Sequence, residues 1–366
     1  MFGTVSFDRT GERRPTTSKA APAVIVSSRR STSRLDIAFR TCGRADMPAI
    51  MFVHGNLSSS IFWEDIMTAV QGDYYSIAPD LRGFGATQAM PVDARLGLDD
   101  MALDLLGLAD DLGLGRFHLV GHSMGGGVAM KMLIRKPRSI ESVTLVDPVS
   151  PFGYGGSRDV TGTPCYPDGA PAGAGMVNPE FVTRLRDGDR SRSSPLSPRC
   201  VMENLYFNPP FVPDRIEALL DGMLEARVGE DGYPGDVLAS ENWPGSAPGE
   251  RGVLNAMSRR YFDASGITEV DPKPPLLWVR GDSDQIVADG AALEIANLGA
   301  LGQVPGWPGM DRCPPQPMVQ QTRAVLEEYA RRGGSFRECV LEGVGHTPFI
   351  EAPEAFNRLL AGFLGA

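Results

Sequence analysis

The run Arg116-Phe-His-Leu-Val-Gly121 passes into Gly121-His122-Ser123-Met124-Gly125, and the helix-forming stretch GGGVAMKMLIRKP follows with no spacer. A short apolar run ending at glycine predicts a strand buried on both faces. The stretch after it predicts a helix that stops at Pro137. Ser123 is thereby placed in a sharp strand-to-helix bend, with glycines on either side where two backbones come too close for a Cβ. Such a bend lifts the serine hydroxyl above the sheet edge. It also sets that hydroxyl at a helix N-terminus, whose free N–H groups and dipole favour developing negative charge. The segment is neither a G-x-G-x-x-G fingerprint nor a phosphate loop, because no lysine follows it. Ser123 is the candidate nucleophile, and a glycine-rich turn with an idle serine is the competing reading.

The rest of the chain supports that placement. AVIVSS and RLDIAFR, between Ala23 and Phe39, read as paired strands around a turn. AIMFVHG (Ala49–Gly55) reads as a buried strand, IFWEDIMTAV as a helix capped by Ser58, Ser59 or Ser60, and YYSIAPD as another strand. LGLDDMALDLLGLADDLGLG is an amphipathic helix with a glycine stop, and SVTLVD a strand. Strand and helix alternating in this way predict an α/β fold with a mostly parallel central sheet and helices on both faces.

The alternation breaks at Pro151, where eleven of the next twenty-five residues are Gly or Pro, predicting an irregular and mobile loop. Helices are expected at PEFVTRLRDG, PDRIEALLDGMLEARV and ERGVLNAMSRRYFDAS. Parallel-strand sequence resumes only with PLLWVRGD (Pro275–Asp282), followed by the helix MVQQTRAVLEEYARR, the strand FRECVLEG and the helix EAFNRLLAGFL. The expected organisation is a loose leader over residues 1–22, a core from residues 23–150 and 276–366, and an inserted helical cap at 151–275.

Composition narrows the partners. Net charge is −10 over 366 residues with no long Lys/Arg run, which argues against nucleic acid. No apolar stretch nears the roughly 18 residues of a membrane span, and the first residues lack a signal-peptide core. The five cysteines are odd in number, scattered and without a C-x-x-C pair, so a disulfide framework and a thiolate zinc site are both disfavoured. A cytoplasmic protein with no metal or cofactor is expected. Its partner is a small molecule, and a homodimer is compatible with the sequence.

A serine hydroxyl needs a base. Of the four histidines, His118 lies mid-strand, His122 adjoins the nucleophile, and His54 ends a strand where it would brace the loop. His346, in GVGHTPF after the FRECVLEG strand, falls at the carboxyl end of a strand, where ligand sites form in open α/β sheets. A carboxylate must then orient the imidazole. Asp284, in the turn GDSDQIV, is the favoured candidate, with Asp147 and Asp282 as alternatives. The order Ser…Asp…His separates this set from the chymotrypsin and subtilisin orders. The backbone N–H groups of Met124 and Asn56 are the expected donors to a tetrahedral oxyanion.

These residues resemble the α/β-hydrolase superfamily, specifically its cap-bearing serine hydrolases of esterase or lactonase type. The resemblance rests on HGN (His54–Asn56), DLRGFG (Asp80–Gly85), GHSMGG around Ser123, LLWVRGDSD with Asp284 and GVGHTP with His346, and covers Ala45–Ser150 and Pro275–Phe363. It implies an α/β-hydrolase fold and a cofactor-free hydrolase of esters, lactones or related acyl compounds. It also implies a supporting role for Asp80, Arg82 and Gly83. The HGN loop is similar to that of haloalkane dehalogenases, but those enzymes and the related epoxide hydrolases use an aspartate where this chain has Ser123.

Phe152, Tyr154, Tyr206, Phe207, Phe211, Tyr233, Trp243, Tyr261 and Phe262 in the cap, with Phe62 and Trp63, divide between pocket lining and the cap's own core. The expected substrate is a medium-sized, largely apolar ester or lactone. C–C bond hydrolysis, a lyase or a perhydrolase with the same residues is the alternative, as is a ligand-binding receptor that retains a hydrolase site.

Overall fold

Ala49–Val53 (β3) carries Ile50, Met51, Phe52 and Val53 at full burial, as a run apolar on both pleat faces requires. Burying each of these side chains contributes about 1.5–3 kcal/mol before the entropy of ordering is charged against it. The computed structural model describes residues 24–365. The leader expected over residues 1–22 lies outside them.

β3 sits inside an eight-stranded sheet. The other strands are β1 (Val26–Ser31), β2 (Asp36–Cys42), β4 (Tyr75–Pro79), β5 (Phe117–His122), β6 (Ile140–Val146), β7 (Leu276–Gly281) and β8 (Phe336–Leu341). Their order is β1-β2-β4-β3-β5-β6-β7-β8. β1 and β2 pair antiparallel, β2 pairs antiparallel with β4, and the remaining ladders are parallel. Val53 is in register with Gly121, His122 with Val146, Val146 with Val279, and Gly281 with Leu341. The carboxyl ends of β3, β5, β6, β7 and β8 therefore finish along one edge, and the turns that follow them converge there.

Helices Glu64–Val70 (α1), Asp99–Asp111 (α2) and Met124–Arg135 (α3) connect β3 to β4, β4 to β5 and β5 to β6. The serine caps expected before α1 do not form. A short 3-10 turn, Ser60–Trp63, precedes the helix without a side-chain cap bond. Ser60 instead presents its N–H to Asp80 Oδ1 at 2.8 Å.

Residues 147–275 contribute no strand to the main sheet. They hold helices Pro179–Arg186 (α4) and Ile216–Leu224 (α5), one-turn helices at Pro198–Val201 and Val253–Ala256, a π-turn at Met202–Tyr206, and two small two-stranded pairs. The helix expected over ERGVLNAMSRRYFDAS shrinks to Val253–Ala256 because local side chains take its backbone carbonyls. Asn255 Nδ2 donates to Arg251 O at 2.7 Å and Ser258 Oγ donates to Asn255 O at 2.6 Å. The Gly/Pro-rich stretch after Pro151 is irregular, as expected, but it is tied down rather than loose. Gly155 N–H donates to Gln316 Oε1 at 2.6 Å, and Gln321 Nε2 donates to Ser157 Oγ at 2.8 Å and to Asp159 O at 2.7 Å.

One hydrophobic cluster runs from the sheet into this segment, taking in Phe181, Met202, Tyr206, Phe207 and Leu219. Met318–Arg331 (α6) and Pro353–Leu364 (α7) complete the second half. Among the described residues no helix is long and apolar enough to cross a membrane.

Candidate active site

Ser123 sits between β5 and α3 at φ 54°, ψ −121°, a conformation L-residues avoid unless their surroundings impose it. The flanking glycines supply that imposition. A Cβ at Gly121 would lie 2.4 Å from Gly125 O, and one at Gly125 would lie 2.3 Å from Val53 O and 2.5 Å from His54 O. Backbone cannot yield at those distances, so the two glycines are the condition for the bend. Ser123 is half-buried while Gly121, His122 and Met124 around it are buried. Among the described residues its hydroxyl makes no hydrogen bond. Reactive serines often tighten their contact to the base only on substrate binding.

His346 and Asp284 are brought together. His346 Nδ1 donates to Asp284 Oδ2 at 2.8 Å, and both side chains are buried. Asp284 Oδ1 accepts the N–H groups of Ile286 at 2.7 Å and Val287 at 3.1 Å, which fixes the carboxyl plane. A bond through Nδ1 leaves Nε2 of the neutral ring as a proton acceptor. The alternatives fall elsewhere. Asp282 is exposed and accepts the Gly343 N–H at 2.7 Å. Asp147 is buried and faces the Gly281 N–H and the Asp284 carboxyl rather than His346.

His122 links the two halves of the site. Its Nε2 donates to the main-chain carbonyl of His346 at 2.8 Å, and the two rings lie 4.7 Å apart. Burial, then the neighbouring His346, pushes the His122 imidazole well below its ordinary value and keeps it neutral. His54 braces the loop as expected, with Nδ1 donating to Gly55 O at 2.8 Å and Nε2 accepting from Leu81 N–H at 2.9 Å. Asp80 and Arg82 are supports as well. Asp80 Oδ2 accepts Ala86 N–H at 3.0 Å, and Arg82 forms a two-point pair with Asp104 at 2.9 Å for each bond.

The loop after β3 runs against Ser123. A Cβ at Gly55 would lie 3.0 Å from Ser123 Cβ and 3.1 Å from His122 Nδ1. The next two residues are Asn56 and Leu57, the latter at φ 48°. Met124 is the first residue of α3, so its N–H has no partner inside the helix. Neither that N–H nor the N–H of Asn56 is taken by a protein acceptor among the described residues. Two buried polar atoms adjoining Gly55 and Ser123 in the chain, Asn56 Oδ1 and His122 Nδ1, have no partner among the described residues.

Of the aromatic candidates, Trp63 belongs to the core, fully buried and stacked on Phe349 with ring centroids 4.0 Å apart. Tyr206 belongs to the site, its ring 6.3 Å from His346. Its position inside the insertion carried no sequence signal beyond aromatic character. Among the described residues no three His, Cys, Asp or Glu side chains converge as a metal-ligand set.

Residues 48–163 match the α/β hydrolase fold family. Among curated proteins, the chain is 31% identical over 109 residues to the "Putative carbamate hydrolase RutD" of Pseudomonas syringae pv. syringae, covering 30% of this chain and 42% of the relative. It is 32% identical over 103 residues to the fluoroacetate dehalogenase of a Burkholderia species, covering 27% and 34% respectively. The chain thus spans about two-fifths or less of the length of these relatives. Among solved structures, an esterase from Exiguobacterium antarcticum superposes with a TM-score of 0.60 at 16% identity, over 93% of this chain and all of that one. The chain has the α/β-hydrolase fold.

Proposed function

We propose that this protein is a serine hydrolase that cleaves an ester or lactone bond in a medium-sized, largely apolar small molecule. The observation that carries the reading is the buried 2.8 Å bond between His346 and Asp284, together with the strained Ser123 bend, whose neighbour His122 bonds the His346 carbonyl. Ser123 Oγ attacks the acyl carbonyl as His346 Nε2 takes its proton, and Asp284 stabilises the imidazolium. The N–H groups of Met124 and Asn56 receive the oxyanion. The intermediate collapses to an acyl-enzyme, and the alcohol leaves with the proton from His346. Water, deprotonated by the same nitrogen, then releases the acid and restores Ser123.

Residues 151–275 act as the cap over this site, with Tyr206, whose ring lies 6.3 Å from that of His346, reaching into it. All five cysteines are free thiols, which suits residence in the cytoplasm. Halide displacement of the dehalogenase kind is disfavoured, because it calls for a carboxylate nucleophile where this chain has Ser123. A carbamate offers the same carbonyl to the same attack and belongs in the test.

The test is steady-state turnover of p-nitrophenyl esters of graded chain length, γ- and δ-lactones, and a p-nitrophenyl carbamate by the wild type and Ser123→Ala. The expected result is ester or lactone turnover that falls at least about 10³-fold in the variant. Turnover that survives within a few-fold overturns the assignment. Turnover confined to the carbamate replaces the ester or lactone substrate class with carbamates.

A further inference from the structure

Asp147 directly follows β6, at φ 38°, and with Leu57 and Ser123 it is one of three non-glycine residues at positive φ among the described residues. The three stand at or just beyond the carboxyl ends of β3, β5 and β6, which are neighbours in the sheet. Strain of this kind persists where the surrounding structure over-determines it. For Leu57 and Ser123 the oxyanion loop and the nucleophile bend account for it. Asp147 has no part in the reaction described above.

Its side chain gives the reason. Asp147 is buried, and among the described residues the only N–H aimed at it is that of Gly281, at 3.2 Å from Oδ1 and 3.4 Å from Oδ2. Asp284, also buried, lies within hydrogen-bonding reach of it. Asp284 already accepts two backbone N–H groups and His346 Nδ1. Two ionised carboxylates cannot share such a space, so the pair holds one proton. The proton belongs on the partner with fewer and longer donors, which is Asp147. The other charged group facing Asp147 is Arg280, whose guanidinium is engaged by Glu338 at 2.8 Å. The Tyr154 hydroxyl is buried near Glu294 and Asp284.

We propose that Asp147 is a positioning residue that stays protonated and donates its carboxyl hydrogen to Asp284, holding Asp284 against His346 as the one charged carboxylate of the pair. Burial, reinforced by Asp284, pushes the Asp147 carboxyl well above the ordinary carboxylate range, which agrees with the geometry. The inference rests on the reading of Ser123, His346 and Asp284 as the reactive set.

Two measurements test it. The first is independent of turnover: infrared difference spectra of the wild type against Asp147→Asn near neutral pH, repeated in Ser123→Ala. A protonated-carboxyl C=O band that is lost with Asp147 in both backgrounds is expected, and its absence overturns the proposal even if no substrate is ever found. The second is the pH profile of kcat/KM for Asp147→Asn and Asp147→Ala, with melting curves to confirm folding. Asparagine keeps a donor toward Asp284, so its acidic limb stays with the wild type. Alanine removes the donor, concentrates the charge on His346, moves the acidic limb to higher pH and lowers kcat roughly tenfold at unchanged KM. If both variants move the limb to lower pH, Asp147 is ionised in the wild type and the proposal fails. If neither moves it, the pair is not coupled to His346 and the proposal fails. A protein whose turnover does not depend on Ser123 defeats the hydrolase reading but leaves the infrared result to decide the shared proton.

Discussion

The Tyr206 hydroxyl shares its hydrogen between the main-chain carbonyls of Asn56 and Leu57, at 3.1 Å from each. The carbonyl of the same Tyr206 accepts the Thr347 hydroxyl at 2.7 Å, one residue from His346. A single residue of the insertion therefore ties the loop after β3 to the turn after β8. That loop is bent at Leu57 against its own preference, and this clasp is one of the contacts that hold it there.

Replacing Tyr206 by Phe keeps the ring and deletes the clasp. The two buried carbonyls then lack their donor, which costs about 1–3 kcal/mol of stability. The loop that offers the Asn56 N–H relaxes, so kcat falls about tenfold to a hundredfold while KM changes little. Urea unfolding and initial-rate kinetics on the best p-nitrophenyl ester measure the two effects separately. An unchanged kcat in a destabilised variant would make Tyr206 a packing residue only.

Much of the layout of this candidate site was legible in the sequence because its parts sit where strands end, and strand ends are marked by apolar runs closing on glycine. Ser123, His346 and Asp284 were each placed by that rule, and the 2.8 Å contact between the last two joins residues sixty-two positions apart. The rule ranked Asp147 and Asp284 as rivals, since each follows a buried strand. The structure shows them side by side, because β6 and β7 are adjacent in the sheet. Strand order is a tertiary fact that no local pattern carries. The insertion was least legible for a related reason. Its last helix is short because the Asn255 and Ser258 side chains capture backbone carbonyls, and its loops are held by Gln316 and Gln321 from beyond β7. The expected serine caps failed in the same way, since Asp80, distant in sequence, takes the Ser60 N–H instead.

Glu294 predicts a pH dependence of stability. Its carboxyl is buried and caps a short helix by accepting the N–H groups of Ala296 at 3.2 Å and Asn297 at 2.8 Å. Burial outweighs those bonds and raises the carboxyl to about 7. The unfolded chain titrates this group near ~4.3, so between that value and neutrality the folded state holds more protons than the unfolded one. Stability therefore falls as pH rises through this window and levels off above it, by a total on the order of 3 kcal/mol. Glu294→Gln retains an acceptor for the helix and removes the titration. Thermal melts from about pH 5 to 8 check this: the wild-type midpoint should decline relative to the variant, and the variant should be the more stable at the alkaline end. Parallel curves would mean that Glu294 is solvated well enough to ionise normally.

Asp284→Asn separates orientation from charge. Asparagine fits the same volume, and its oxygen can go on accepting the Ile286 and Val287 N–H groups that now fix Oδ1. Its amide nitrogen then points at His346 Nδ1, where a donor meets a donor unless the imidazole changes tautomer. The changed tautomer carries its hydrogen on Nε2, the atom that must accept the Ser123 proton. Binding is untouched, so KM should stay within a few-fold. Turnover at neutral pH should fall by about 10³–10⁴, the scale seen when a triad aspartate is made neutral. Raising the pH should recover part of the loss, as hydroxide substitutes for the disabled base. The measurement is kcat and KM across pH for the variant, alongside a melting curve. A fall smaller than tenfold, in a folded protein, would mean that the neighbouring Asp147 can supply the missing charge, and would move the acid of the set from β7 to β6.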